Sequence, residues 1–209
     1  MQFIVIEGLD GSGKTTVTKL LAERFAAQHL PCYRTYEPTN NSIGTLIRSI
    51  LAGQNEPVSN ETMALLFAAD RCEHIWNEII PNKVNNYVVC DRYYLSNMAY
   101  QSSDDENLED VVYYNQLAIT NCRPDITFFI NVTPDECMRR IEKRGDDKSI
   151  FETLPALEFR YKRYMAAIER MRKTDNIIIV GSDITTPEEI VQQMWEHIYK
   201  KSNSSYHME

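Results

Sequence analysis

The chain has 209 residues, 43% hydrophobic and 25% charged, with a formal net charge of −8. That length suits one domain with a sizeable core, and the apolar content excludes a disordered or fibrous chain. The acidity argues against a sequence-independent binder of nucleic acid or anionic membrane, because counterion release requires a surplus of Lys and Arg.

The first residues, MQFIVIEGLDG, lack a basic start and a long apolar stretch, so they do not read as a secretory signal. No run approaches the roughly 20 apolar residues of a membrane-spanning helix. Five cysteines without a CxxC pair read as reduced thiols, which places the chain in the cytoplasm. The four histidines show no metal-ligand spacing.

FIVI at 3–6 is the first expected strand, a continuous apolar run of the kind covered on both faces in a parallel sheet. GLDGSGKTT at 8–16 comes directly after it and fits G-x-x-x-x-G-K-[ST], with Gly8, Gly13, Lys14 and Thr15 at the fixed positions. In such a loop the backbone N–H groups of Gly8, Leu9, Asp10, Gly11, Ser12 and Gly13 turn toward phosphate oxygens. The next helix adds its positive end, Lys14 a mobile cation, Thr15 a hydroxyl for Mg²⁺, and Thr16 lies in the same turn. Val17, Leu20, Leu21 and Phe25 then recur at helical spacing until Pro31.

CYRTY at 32–36 is a weaker, more polar strand candidate. LLFAADR at 65–71 sets Phe67 and Arg71 four apart, on one helix face, where a flat ring and a cation hold a base and its phosphate or simply pack the core. YVVC at 87–90 is a third continuous run. It leads into Asp91, a carboxylate placed either to hold Mg²⁺ through water or to cap the segment after the strand, and Arg92 beside it suits a second anion. ITFFI at 126–130 and IIIV at 177–180 complete the strands, and TPDE (133–136) and TPEE (186–189) both read as capping boxes that start helices. Strands alternating with helices imply an α/β doubly wound sheet in a single domain over 1–201, with a polar tail at 202–209. Such sheets bind ligands beyond the carboxyl ends of their strands.

GLDGSGKTT, LLFAADR, DRYYLSNMAYQ (91–101) and RPDITFFINVTPDECMRRIEKRG (123–145) together resemble the thymidylate kinases, P-loop enzymes that phosphorylate dTMP with ATP. The resemblance covers about residues 3–200 and implies a five-stranded parallel sheet in order 2-3-1-4-5, Mg-ATP and dTMP as substrates, and a homodimer. It further implies that Phe67 stacks on thymine and that Arg71, Arg92 and Arg48 reach the acceptor phosphate. Asn97, and Ser96 or Gln101, would hydrogen-bond the base edge, Tyr100 would sit against the sugar, and Asp10 would align the acceptor. Relatives often carry a basic residue near the Glu-Pro step, whereas this chain reads Thr35-Tyr36-Glu37-Pro38-Thr39. Glu37 therefore enters as a substrate-side candidate whose role the resemblance leaves open.

The net charge is also unevenly spread. Residues 139–173 hold eleven of the 22 basic residues against six acidic ones, a local +5 in a remainder of −13. Such a stretch is either a solvated helix face or a phosphate-binding lid. Because ATP and dTMP bring about six negative charges between them, and the loop has Gly11 and Ser12 where some relatives carry an arginine, the resemblance favours a lid at about 142–153. Arg140, Arg144 and Lys148 are its candidate cations, with Arg144 also placed over adenine. A kinase of UMP, CMP or a deoxynucleoside, and a non-catalytic ATP-binding regulator, remain as alternative readings.

Overall fold

Each apolar run of the sequence becomes a strand in the computed structural model, which describes residues 1–144 and 153–204, with side chains through residue 199. The strands are β1 (Phe3–Glu7), β2 (Cys32–Tyr36), β3 (Tyr87–Asp91), β4 (Ile126–Ile130) and β5 (Ile177–Val180). They pair in parallel in the order β2-β3-β1-β4-β5, as the resemblance implied. Every residue of β1 and β4 is buried, which explains their unbroken apolar character. β2 is an edge strand with Arg34 and Tyr36 exposed, and its more polar composition reflects that position.

Helices α1 (Lys14–Ala27), α2 (Ser42–Leu51) and α3 (Asn60–His74) come next in chain order. A π-helical turn over Ile75–Ile79 links α3 to the short α4 (Ile80–Lys83). Pro81 accounts for the widened turn: its ring lacks an N–H and crowds the carbonyl four residues back. The remaining helices are α5 (Tyr94–Gln101), α6 (Asp105–Tyr114), α7 (Gln116–Asn121), α8 (Pro134–Arg144), α9 (Leu154–Met171) and α10 (Pro187–Ser204). α1 packs on α10, where Phe25 meets Trp195 edge-on with ring centroids 5.0 Å apart, and α5 packs on α9.

The two expected capping boxes part company. At α10, the Glu189 carboxylate accepts from the Thr186 N–H at 2.8 Å and the Glu189 N–H donates back to Thr186 Oγ1 at 3.2 Å. At α8, Thr133 Oγ1 accepts from the Glu136 N–H, but the Glu136 carboxylate is taken by Arg139 and Arg140. The Thr133 N–H turns instead to Asp183 at 2.7 Å. Two guanidinium groups within reach outcompete one backbone donor for the carboxylate.

Strand register brings the future site together. Ile6 and Tyr36 both lie opposite Asp91. Beyond the strand ends, the Arg92 N–H donates to Ile6 O at 2.9 Å and the Glu37 N–H to Asp91 O at 3.0 Å. The segments starting at Gly8, Glu37 and Arg92 therefore leave the sheet side by side, at its carboxyl edge.

Candidate active site

The phosphate loop leaves β1 and closes onto α8. Gly11 has φ +81°, and a Cβ there would lie 2.5 Å from the Cys137 carbonyl oxygen of α8, so only glycine fits the approach. Gly13, at φ +93°, caps α1 and turns its first N–H groups toward the loop's interior. Ser12 Oγ is buried without a hydrogen-bond partner.

Lys14 is 6% exposed and its Nζ donates to the Leu9 carbonyl at 2.7 Å. Burial, joined by the nearby Arg92 guanidinium, pushes the ammonium below its usual range against the pull of Asp10, Asp91 and Glu7. Next to it, Thr15 Oγ1 donates to Asp91 Oδ2 at 2.9 Å, while Asp91 Oδ1 is buried without a partner. The two residues expected to face a metal thus share one hydrogen bond and offer an unmet carboxylate oxygen.

Arg92 has φ +71°, a left-handed conformation uncommon for a residue with a side chain. The turn carries its guanidinium back across the end of the sheet, where it donates to Ser96 Oγ at 3.2 Å and to Asp10 Oδ1. The group also lies 5.1 Å from the centroid of the Tyr100 ring, whose hydroxyl donates to Asp10 Oδ2 at 2.7 Å. Burial works to raise Asp10, but Arg92, Lys14 and Tyr100 outweigh it and hold the carboxyl below its usual range. Asp10, Arg92 and Tyr100 are thus one assembly.

Glu7, which carries no motif signal as the last residue of a strand, supports that assembly. Its fully buried carboxylate accepts the Tyr93 and Ser96 N–H groups at 2.9 and 3.1 Å and so caps α5, which has no side-chain cap of its own. Its other oxygen accepts the Ser96 and Tyr164 hydroxyls at 2.5 and 3.1 Å. Burial pushes Glu7 upward against these bonds. The Ser96 hydroxyl, expected at a base edge, donates to Glu7 and accepts from Arg92 here, with the Tyr164 hydroxyl at 2.8 Å.

On the other side, Phe67 is half-buried on α3 and Arg71, one turn later, is 1% exposed. The Arg71 guanidinium donates to Glu37 Oε2 at 2.6 Å, to Asn97 Oδ1 at 3.3 Å and to Asn115 Oδ1, while its Nε has no partner. Asn97 in turn donates to Gln101 Oε1 at 3.1 Å. The structure therefore sets Arg71 among the side chains expected at the base edge, with Nη1 bonded to Asn97 and Asn115 and Nη2 to Glu37. Glu37 is held between Arg71 and His74, whose Nδ1 lies 3.0 Å away. Arg48, expected at the acceptor phosphate, folds back over this turn and donates to the Pro38 carbonyl at 2.7 Å and to Asn40 Oδ1 at 3.0 Å.

A cavity of about 780 Å³ opens beside the phosphate loop and reaches the second side at Glu37. Asp10, Lys14, Thr15, Glu37, Asp91 and Arg92 line it from the sheet edge, and Arg140 and Arg144 from α8. Arg34, exposed in β2, also reaches it and is invisible to sequence reasoning, because a lone basic residue in an edge strand carries no pattern. Arg140 bridges the loop to the segment after β5, donating to Ser12 O at 3.4 Å and Asp183 O at 3.1 Å. Lys148 and most of the expected lid lie outside the described residues.

The model of the family described as thymidylate kinase matches residues 6–194. A probable thymidylate kinase from Methanococcus aeolicus is 40% identical over 202 residues, covering 96% of this chain and 97% of that protein. Another from Methanocaldococcus jannaschii is 40% identical over 191 residues, covering 90% of each. In three dimensions, the thymidylate kinase of Candida albicans aligns with a TM-score of 0.76 at 24% identity, over 97% of this chain and 92% of the other, a likeness of fold.

Proposed function

The chain belongs to the thymidylate kinase family, and from that premise we propose that it transfers the γ-phosphoryl group of ATP to dTMP, giving ADP and dTDP. The observation that carries this reading is one cavity with two differently built walls. Lys14, the loop N–H groups and the Thr15–Asp91 pair suit a magnesium-bound triphosphate, and the Asp10–Arg92–Tyr100 assembly suits an acceptor. The unmet Asp91 Oδ1 and the Thr15 hydroxyl fit Mg²⁺, a hard cation that takes oxygen ligands and needs few from protein when phosphates are present. Bound there, the ion would neutralise charge developing on the phosphate oxygens.

The chain's own groups supply position and charge. Lys14 compensates the transferred group, Arg92 draws the acceptor phosphate, and Arg140 and Arg144 close over the loop from α8. Direct in-line transfer then needs no covalent enzyme intermediate. Incubation with ATP and dTMP should form ADP and dTDP in equal amounts. A stronger rate with UMP or CMP would favour the rival kinase reading, and ATP binding without product would favour a regulator.

A homodimer in the cytoplasm completes the proposal. Five free thiols support a reducing compartment. Leu65, Trp76, Tyr113 and Leu117 are 50%, 60%, 75% and 64% exposed on the adjoining α3–π turn, α6 and α7, an apolar surface suited to a second copy. Sedimentation should show a dimer that Trp76→Glu converts to monomer, and a wild-type monomer would refute the assignment.

A further inference from the structure

Asn115 stands at the junction of α6 and α7, 1% exposed, and no part of the proposed reaction uses it. Its amide orientation is forced by its neighbours. Arg71, which can only donate, points at Asn115 Oδ1, and the Val111 carbonyl, which can only accept, lies 2.8 Å from Nδ2. The same Nδ2 donates to Asn97 Oδ1 at 2.8 Å. Asn97 Oδ1 also receives Arg71 and is filled, so Nδ2 must be the atom that faces Gln101, whose Oε1 accepts at 3.1 Å. That turns the Gln101 amide in its turn. A single polarity runs through three amides, from a cation and a backbone carbonyl at one end to Gln101 Nε2 at the other.

Each amide oxygen here already accepts at least one hydrogen bond, so the groups left without any partner are donors. Arg71 Nε is a buried N–H without an acceptor, Asn97 keeps a second N–H, and among the described residues Gln101 Nε2 is paired with none. A ligand set against these groups must offer acceptors. A 4-oxo pyrimidine presents a carbonyl oxygen where a 4-amino pyrimidine presents another N–H, and opposing donors leave both sides unmet.

We propose that Asn115 is a positioning residue that fixes the polarity of the Asn97–Gln101 pair, so that the acceptor site takes 4-oxo pyrimidine nucleotides and rejects 4-amino ones. The inference rests on the dTMP kinase reading above and deepens it. It also locates a determinant of base choice on an element that lines neither wall of the cavity.

The test compares kcat/KM for dTMP and dCMP in wild type, Asn115→Asp and Asn115→Ala. Wild type should prefer dTMP by about a hundredfold or more. In Asn115→Asp the carboxylate can only accept, which draws Asn97 Nδ2 toward it and reverses Gln101, so the preference should fall at least about tenfold. Should that variant not fold, because its carboxylate faces the Val111 carbonyl, Asn115→Ala removes the anchor without the repulsion and should lower the ratio in the same direction. A general packing defect would reduce both rates together and leave the ratio unchanged. An unchanged ratio in a folded variant, or a wild type indifferent between dTMP and dCMP, overturns the proposal. A wild type inactive on dTMP overturns the kinase reading itself.

Discussion

Lys14→Met is expected to lower turnover about a thousandfold while leaving the unliganded protein as stable as wild type or more so. The two effects have one source. Lys14 is a buried cation whose Nζ bonds the Leu9 carbonyl, and burial with Arg92 nearby outweighs the anions around it. Its charged form is disfavoured in the empty fold, so a methionine of similar length removes a cost. A phosphoryl group reverses the balance: a cation about 4 Å from unit negative charge contributes about 4 kcal/mol at an effective dielectric near 20, which is about three powers of ten in rate if realised in the transition state. The pH dependence has the same sign. Because the folded pKa is depressed, the unfolded chain binds more protons just below the usual lysine range, and unliganded wild type gains stability as pH rises through that window. The variant lacks that gain. Steady-state turnover and melting curves across pH separate these outcomes. A loss of turnover below tenfold, or a large fall in melting temperature, would remove Lys14 from the role assigned here.

Sequence alone carried the fold a long way because the relevant signals are local. β1 and β4 are buried at every position and read directly as apolar runs, whereas β2 read weakly because it has one neighbour and exposes Arg34 and Tyr36. Strand order is a property of packing and came from the resemblance. The site divides along the same line. Gly8 to Thr16, and Asp91 with Arg92, were legible because each is a contiguous segment whose chemistry is set by spacing. The partners of Ser96 and Arg71 were not, since Glu7 is 89 residues from Ser96 and Asn115 is 44 from Arg71. In both cases a buried polar group had to be satisfied by something distant, and that obligation, which no motif encodes, sets its hydrogen-bond partners. Thr133 and Glu136 show the converse: a valid local pattern yielded to stronger partners, Asp183 and the arginines of α8.

Arg92→Ala is the other substitution with a large expected effect, and its loss should fall on the acceptor. The guanidinium is held from three sides, by Asp10, by Ser96 fixed on Glu7, and by the Tyr100 ring 5.1 Å away. Those contacts orient it without matching its charge to one partner alone, because Asp10 also answers to Lys14 and Tyr100. Removing a desolvated charge that has been positioned in this way costs about 2–5 kcal/mol, equivalent to about thirty- to several-thousandfold in kcat/KM for dTMP. The KM for ATP should change little, since Lys14, Thr15 and Asp91 form their own wall. Arg92→Lys should recover only part of the loss, because an ammonium cannot span Asp10, Ser96 and a phosphate with one planar fork. Ala and Lys both carry a Cβ, as Arg does, so neither relieves the left-handed backbone at this position as glycine would, and differences among the variants report the rest of the side chain. Equal losses for ATP and dTMP would mean that Arg92 merely holds the loop, and an unchanged dTMP affinity and rate would end its assignment to the acceptor.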